Sequence, residues 1–299
     1  MISSQVRIER EKLEAFCQAV FERLGLSEAD AGTAAAVLVA ADVRGIPSHG
    51  VARLWRYVNG LRTGLMRPDA EPEVIVDTPA SLVVDAYGAM GAPVSVWTME
   101  RIIEKAEGNG AAFGCVWDSN HFGIAGYYAM MALEADMLGF AMTNTAALAI
   151  PTFGREVMYG TNPIAFAAPA DEERAFVLDM STTTVTRGKI EVYDRREKAL
   201  PRGWAVDETG YPASDAGQVL EAMSHRAGGL LPLGGAGELL GGHKGYGLAV
   251  MVDILTAVLG GAPFGPDVAD TETSSARVSH FFGAIAIDLN GHDPAETTH

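Results

Sequence analysis

The chain has 299 residues, and its hydrophobic content of 48% is enough for a sizeable core, which excludes a disordered or fibrous protein. Its 22 basic and 38 acidic residues give a formal net charge of -16 at pH 7, and such a surface repels nucleic acid and anionic lipid. We therefore expect no nucleic acid and no membrane as partners, although a few local basic groups can still attract a small anionic substrate.

The cysteines and the N-terminal segment bear on the compartment. Cys17 and Cys115 fall in a predicted helix and a predicted buried strand, without the spacing of metal ligands. The first residues lack the apolar core of a signal peptide, and no apolar run reaches the roughly 18 residues that a membrane helix needs. These features predict a cytoplasmic protein with reduced thiols.

The first 70 residues have a helical pattern. Apolar residues recur every three or four positions from Leu13 to Leu24, and Gly25 ends the run. Ser27 is placed to cap a second helix over residues 28–43, and a third helix is predicted over residues 51–63. The two prolines of the segment MRPDAEP mark a linker, so residues 1–70 are predicted to form a helical domain.

The rest of the chain alternates short strands with helices. Seven apolar or alternating runs predict strands: EVIVD, SLVVDA, FGCVWD, LGFAMTN, IAFAAPA, AFVLDM and GAIAIDL. Helices are predicted over residues 94–108, 124–135 and 246–259. We therefore expect an α/β or α+β domain over residues 71–290, followed by a polar tail over residues 291–299.

Several common enzyme motifs are missing from the sequence. No strand-to-helix segment carries the G-x-G-x-x-G fingerprint of a Rossmann dinucleotide fold. The string GELLGGHKG lacks the register of a phosphate-binding P-loop, and no G-x-S-x-G nucleophile elbow occurs. Phosphoryl transfer and serine-nucleophile chemistry are therefore not supported.

The segment RGIPSHGVARL is the first candidate for chemistry. Ser48 and His49 lie in a turn between two predicted helices, with Arg53 close by. Histidine titrates near neutral pH, so a turn that directs it into a cleft provides a general acid or base, which the serine hydroxyl can orient. The structural alternative is that Ser48 caps the next helix and His49 is merely exposed.

The segment WDSNHFGIAGYYAMMA is the second candidate. His121 and Gly123 lie between a predicted strand and a predicted helix, where free backbone N–H groups attract anionic ligands. His121 is therefore a candidate acid/base or substrate-binding group. A histidine hydrogen-bonded within a buried loop is an equally good interpretation of this segment alone.

The segments AFVLDMSTTTVTRGKI and GGHKGYGL suggest contacts with anions. After Asp179, hydroxyl groups over residues 181–186 and the guanidinium of Arg187 can surround a carboxylate. His243 and Lys244 at a helix start can hold a cofactor phosphate. A solvated turn and a simple helix cap are the respective alternatives.

Two Thr-Asn pairs, Thr143-Asn144 and Thr161-Asn162, end predicted strands in apolar surroundings. They are typical of a pocket lined by amides and hydroxyls, although Asx-turns explain them nearly as well. The remaining histidines have no informative neighbours: His225, His280 and His292. Because no histidine or carboxylate pair has ligand spacing, we expect no metal site.

In order along the chain, RGIPSHGVARL, DSNHFGIAGYYA, YGTNPIAFAAP, LDMSTTTVTRGKI, LPRGWAVDETG and GGHKGYGLAVMVDIL closely resemble the type 2 malate/L-lactate dehydrogenase family. The family includes ureidoglycolate, sulfolactate and diketogulonate dehydrogenases and a piperideine-carboxylate reductase. The resemblance implies an NAD- or NADP-dependent oxidoreductase that acts on a small 2-hydroxy or 2-oxo acid. It also implies a homodimer with a non-Rossmann cofactor domain, built on a mixed, mostly antiparallel sheet, and a small helical domain completed by C-terminal residues.

The resemblance also implies roles for individual residues. His49 matches the proton donor and acceptor, oriented by Ser48, while Arg53 lies near the substrate carboxylate. The motif of His121 contacts cofactor in relatives and has also been assigned as the acid/base. Other substrate-side matches are Thr161, Arg187 and Gly188, and the cofactor-side matches are Phe122, Gly123, Ile124, Ala125, Asp179, Met180, Ser181 and Lys244.

Two features depart from the family. Lys189 stands where some relatives have an acidic residue, so a Ser-His-Asp relay would need another carboxylate. The sequence also ends soon after the segment HFFGAIAIDLN, whereas relatives continue for several dozen residues that help to close the cofactor site. The alternatives are oxidation of a ureido-hydroxy acid or reduction of a cyclic imine acid at the same site, and a catalytically inactive dimeric binding protein.

Overall fold

The structure, a computed structural model, describes residues 7–268 and 278–286. The predicted polar tail over residues 291–299, the last residues of the GAIAIDL strand and His292 lie outside these ranges. Within the described ranges, no helix is both long enough and apolar enough to cross a membrane.

The chain begins with three helices, α1 (Arg10–Arg23), α2 (Glu28–Val43) and α3 (Leu54–Thr63), the last preceded by a 3₁₀ turn (Val51–Arg53). The prediction for Ser27 is confirmed, because its Oγ accepts a hydrogen bond of 3.1 Å from the Asp30 N–H. Such a cap contributes about 1 kcal/mol. Phe21 and Leu38 lie in the core between these helices, whereas Val37 packs into the core beneath the sheet.

A seven-stranded mixed sheet dominates the rest of the chain. Its strands are β1 (Glu73–Asp77), β2 (Ser81–Asp85), β3 (Ala111–Ser119), β4 (Met137–Thr143), β5 (Ile164–Ala168), β6 (Phe176–Met180) and β9 (Val278–Ala286). The order is β1-β2-β3-β9-β4-β5-β6, and every neighbouring pair is antiparallel except β2 and β3. The predicted mostly antiparallel sheet and its α/β class are confirmed.

Strand β9 comes last but occupies a central position, and this places the site. Because β9 is antiparallel to both β3 and β4, the carboxyl ends of β3 and β4 lie at one edge, beside the start of β9. The register pairs Ser119 with Val278 and Thr143 with His280. Residues far apart in sequence therefore meet at this edge.

Helices cover both faces of the sheet. Alternate residues of β3 point to opposite sides. Val116 lies in the core with α4 (Gly91–Asn109) and α5 (Ala125–Met131). On the other side, the Cys115 thiol donates to the carbonyl oxygen of Leu255, in the π-helical turn (Ile254–Val258) after α8 (Gly242–Asp253). The central strands are therefore enclosed, as expected for apolar runs.

A smaller unit that was not predicted from the sequence lies beside the sheet. It contains α6 (Arg187–Arg195), β7 (Ala205–Val206), α7 (Ala216–Ser224) and β8 (Gly229–Leu230). Both helices span only nine residues, so each offers too few apolar repeats to be recognised. Ile190 and Val219 join their core. Helix α8 begins at Gly242, four residues before the predicted helix over residues 246–259, and so includes His243 and Lys244, which were placed at a helix start.

Candidate active site

A cavity of about 150 Å³ opens beside the shared edge of strands β3, β9 and β4. This is about five times the share of volume of one liquid water molecule, and it suits a small organic acid. Eight of the proposed site residues line it: His49, Arg53, His121, Phe122, Gly123, Thr161, Arg187 and Gly188. The fold therefore brings four separate sequence motifs to one place.

His49 enters the cavity from the loop between α2 and α3. Its Nδ1 lies 2.9 Å from Ser48 Oγ, and the Nε–H of Arg53 donates a 2.7 Å hydrogen bond to the Ser48 carbonyl. Loss of water and then the positive charges of Arg53 and Arg56 lower the pKa of His49 to about 4. The ring is therefore neutral at pH 7, although it remains partly open to the cavity.

The end of α2 holds this loop in place. The carboxylate of Asp42 accepts a 2.8 Å hydrogen bond from the Val51 N–H. A Cβ on Gly50 would lie 2.1 Å from that carboxylate, so only glycine fits between the loop and the helix. The glycine after the histidine in the SHG motif is required by close packing.

His121 follows β3 and faces His49. The two imidazole rings lie 18° from parallel with their centroids 5.6 Å apart. His121 Nδ1 accepts a 3.2 Å hydrogen bond from the Gly123 N–H and lies 2.6 Å from the Tyr57 hydroxyl. Because an amide N–H can only donate, Nδ1 is unprotonated and the neutral ring carries its proton on Nε2.

The protonation state of His121 follows from its surroundings. Loss of water, followed by the charge of Arg56, lowers the pKa of His121 well below its usual range. Burial raises the pKa of Tyr57 to about 12, so its phenol stays protonated at pH 7. The hydroxyl therefore donates a hydrogen bond to Nδ1 of His121. The site therefore contains two neutral imidazoles at pH 7.

His280, whose neighbours in sequence are not informative, lies behind the wall of the cavity. It is fully buried on β9, with Nδ1 2.8 Å from Thr143 Oγ1 and Nε2 2.8 Å from Ser119 Oγ. Its ring stacks on Phe122 at 4.5 Å, and burial lowers its pKa to about 3. The ring therefore links β9 to the ends of β3 and β4 behind the cavity wall. Nothing around His280 in the sequence distinguishes it from a core residue.

Three arginines line one side of the cavity: Arg53, Arg56 and Arg187. Arg53 lies against the start of α6, because a Cβ on Gly188 would lie 3.1 Å from its Nη2. Glu191 also lines the cavity, and its Oε1 lies 3.2 Å from Arg187 Nε. This corner is positive in a chain whose overall charge is strongly negative, and it suits a bound carboxylate.

The two Thr-Asn pairs divide their roles. Both asparagines are fully buried and fix the backbone. Asn144 Oδ1 accepts a 2.7 Å hydrogen bond from the Ser279 N–H. The side-chain amide of Asn162 donates a 3.0 Å hydrogen bond to the Ala249 carbonyl. Thr161 is partly exposed and lines the cavity. Thus Asn162 supports the fold, whereas Thr161 can contact a ligand.

The other proposed residues lie outside the cavity lining. Ser48 contacts Nδ1 of His49, and Ile124 and Ala125 are buried at the start of α5. Asp179 Oδ2 accepts a 2.8 Å hydrogen bond from Gly126 N–H in the first turn of that helix. Met180 is the last residue of β6, and Ser181 follows it. Lys244 is exposed on α8.

Sequence reasoning missed Arg56, Tyr57 and Glu191. Arg56 and Tyr57 follow Arg53 by three and four positions on the same helix turn, so they share a face with it. Glu191 follows Arg187 by four positions, but this relation has meaning only once α6 is recognised as a helix. Among the described residues, no cluster of histidine, cysteine and carboxylate side chains could hold a metal ion.

Known proteins resemble this chain along most of its length. A family model described as malate/L-lactate dehydrogenase matches residues 8–298. Malate dehydrogenase from Pyrococcus horikoshii is 44% identical over 291 residues, which cover 97% of this chain and 79% of that protein. Ureidoglycolate dehydrogenase (NAD(+)) from Escherichia coli is 35% identical over 263 residues, which cover 88% of this chain and 71% of that protein.

The fold is similar as well. The crystal structure of malate dehydrogenase from Entamoeba histolytica superposes with a TM-score of 0.92 at 32% identity, covering 96% of this chain and 80% of that one. The resemblance drawn from the six sequence motifs is confirmed. The chain belongs to the malate/L-lactate dehydrogenase family of oxidoreductases.

Proposed function

We propose that the protein transfers a hydride between NAD or NADP and C2 of a small 2-hydroxy or 2-oxo acid. The observation that carries this proposal is the pairing of two neutral imidazoles with three guanidinium groups around one cavity. The guanidiniums suit the substrate carboxylate, and an imidazole suits the hydroxyl or carbonyl beside it.

The residues present fit a nicotinamide ring. The imidazole of His121 lines the cavity beside Phe122 and Gly123, and its planar ring offers a surface on which a nicotinamide can lie. Thr145 places a polar group nearby, which suits a carboxamide. The bound cofactor supplies or receives the hydride. Family resemblance extends its proposed contacts to Ile124, Ala125, Asp179, Met180, Ser181 and Lys244.

His49 is the proposed acid/base. In the alcohol-oxidising direction, its neutral ring accepts the hydroxyl proton, and in the other direction it returns that proton to the carbonyl oxygen. Ser48 orients the ring by its contact with Nδ1, which leaves Nε2 for the substrate. His121, protonated on Nε2, is suited to donate a hydrogen bond to the same oxygen.

The carboxylate is proposed to bind Arg53 and Arg187, with Thr161 beside it. The absence of a side chain at Gly188 lets the Arg53 guanidinium lie against the start of α6. Bidentate binding by a guanidinium would fix the orientation of C2 toward the cofactor. His49 supplies no positive charge at pH 7, so substrate binding depends on the arginines.

The assembly and domain organisation implied by the family are also proposals. They are a homodimer, a helical domain over residues 1–70, and a non-Rossmann cofactor domain over residues 71–290. Exposed apolar side chains on one stripe support the dimer, since Ile254, Val258 and Leu259 are each about half exposed. Light scattering coupled to size exclusion should give twice the chain mass.

Absorbance at 340 nm tests the function. Purified protein is given NADH or NADPH with 2-oxo acids, 2-oxo sulfonates or cyclic imine acids. In the oxidising direction it is given NAD(+) or NADP(+) with ureidoglycolate. We expect oxidation of one reduced cofactor with a 2-oxo acid. Turnover restricted to a cyclic imine or a ureido acid would replace the proposed substrate class. Cofactor binding without turnover on any compound would favour an inactive binding protein.

A further inference from the structure

Glu191 is an unusual member of the cavity wall. Among the described residues that line the cavity, it alone carries a carboxylate, and it faces a corner built from arginines. It lies four positions after Arg187 on α6, with Oε1 3.2 Å from Nε of that arginine. A carboxylate in an anion-binding corner opposes the binding that the arginines favour.

The Arg187–Glu191 pair is accessible to a ligand. The side chains are 38% and 29% exposed, so neither ion is locked in the interior. A partly exposed ion pair contributes little to stability, and its members can change partners. An anionic group that enters the cavity can therefore compete with Glu191 for Arg187.

A first carboxylate does not need Arg187 alone. Arg53 lies against Gly188, beside the start of the same helix, and Arg56 lines the same cavity. A substrate with one negative group can bind Arg53 and the Nη groups of Arg187 while Glu191 keeps its contact with Nε. A second negative group would have to displace Glu191 or remain close to its charge.

We infer that Glu191 is a specificity-determining residue that competes with a second anionic group of the substrate for Arg187. The inference rests on the proposed function, since it concerns a 2-hydroxy or 2-oxo acid bound in this cavity. The site binds doubly negative acids less strongly than its three arginines would allow alone. Singly negative acids are disfavoured less.

Two four-carbon 2-oxo acids that differ by one carboxylate charge test this. The ratio of kcat/KM for oxaloacetate to that for 2-oxobutyrate is measured in the native protein and in Glu191→Gln, which keeps the shape and removes the charge. We expect the ratio to rise roughly 3- to 30-fold, mostly through KM, and the rise to shrink at high salt. Glu197→Gln is the matched control, because it removes the same charge from an exposed position just after α6.

The double variant Arg187→Gln/Glu191→Gln isolates the competition. When it is compared with Arg187→Gln alone, loss of Glu191 should leave the ratio unchanged within about twofold, since there is no arginine to release. A ratio that stays unchanged in the single variant, falls in it, or rises equally in both backgrounds would overturn the inference.

A binding measurement separates this inference from the proposed function. The increase in Tm caused by malate and by 2-hydroxybutyrate gives the same charge comparison without turnover. If the native protein oxidises no reduced cofactor, the proposed function fails. The Tm comparison then still decides the role of Glu191: a selective gain for malate in Glu191→Gln supports it, and equal changes overturn it.

Discussion

The hydroxyl of Tyr57 lies 2.6 Å from Nδ1 of His121, and this contact joins helix α3 to the end of strand β3 across 64 residues of sequence. The same nitrogen accepts the Gly123 N–H, so the imidazole has a fixed tautomer and a fixed orientation. The stack of His121 on His49 depends on that orientation. Tyr57 is therefore a positioning residue of the proposed site.

Tyr57→Phe should lower kcat roughly 10- to 100-fold while changing KM little, because it removes a donor to His121 and keeps the ring in the core. It should also move the acid limb of the pH profile of kcat to higher pH, since a hydrogen bond donated to the unprotonated Nδ1 favours the neutral imidazole. Steady-state kinetics across pH measure both effects. Tyr211→Phe, at a side chain 72% exposed, is the control. An unshifted profile would reduce Tyr57 to a packing residue.

His49→Ala should lower kcat by roughly two to four decades, since it removes the proposed proton donor and acceptor. Ser48→Ala should have a smaller effect of roughly tenfold, because the ring stays but loses its orienting contact. Single-turnover absorbance at 340 nm measures the hydride step directly. His225→Ala changes an exposed histidine and should be silent. Activity of His49→Ala close to that of the native protein would disprove the assignment and leave His121 as the acid/base candidate.

The sequence predicts what depends on local pattern. The cap at Ser27, the seven strands and the helices over the first 70 residues follow from apolar spacing and capping chemistry, and the structure contains them. The SHG and NHFG motifs are candidates for function because histidines next to glycines can lie in turns, although each also has a purely structural interpretation. The family resemblance, rather than apolar periodicity, favours the functional interpretation of both motifs.

The rest depends on relations that a single sequence does not contain. His280 contacts Ser119 and Thr143 only because β9 inserts between β3 and β4, an order that no local pattern reveals. Glu191 meets the cavity only through α6, whose nine residues carry too few apolar repeats to be predicted. Sites assembled by strand order and by short helices therefore escape sequence reasoning.

The buried His280 predicts a loss of stability in mild acid. Its pKa is about 3 in the folded protein against about 6.5 when unfolded, so between these values the unfolded chain binds more protons. The free energy of unfolding contributed by this group is therefore complete above pH 6.5 and falls as the pH drops toward 3. Between pH 7 and pH 5 the loss is about 2 kcal/mol.

Urea unfolding at pH 7 and pH 5 measures this effect. In His280→Asn the difference between the two pH values should shrink by about 2 kcal/mol relative to the native protein, even though the variant is less stable at both. The exposed His225→Asn should keep the native difference. If His280→Asn also kept it, other groups would have to account for the acid sensitivity.

Gly188→Ala should weaken substrate binding without harming the helix. The new Cβ would lie 3.1 Å from Arg53 Nη2, so the guanidinium has to shift by a few tenths of an ångström from the position proposed to bind the carboxylate. We expect KM for a 2-oxo acid to rise roughly tenfold and kcat to change less than threefold, since the proton and hydride geometry is retained. Gly108→Ala is a matched helical control, because its Cβ would meet no atom within 4 Å. That control should raise stability by up to about 1 kcal/mol and leave KM unchanged. An unchanged KM in Gly188→Ala would show that Arg53 does not hold the substrate.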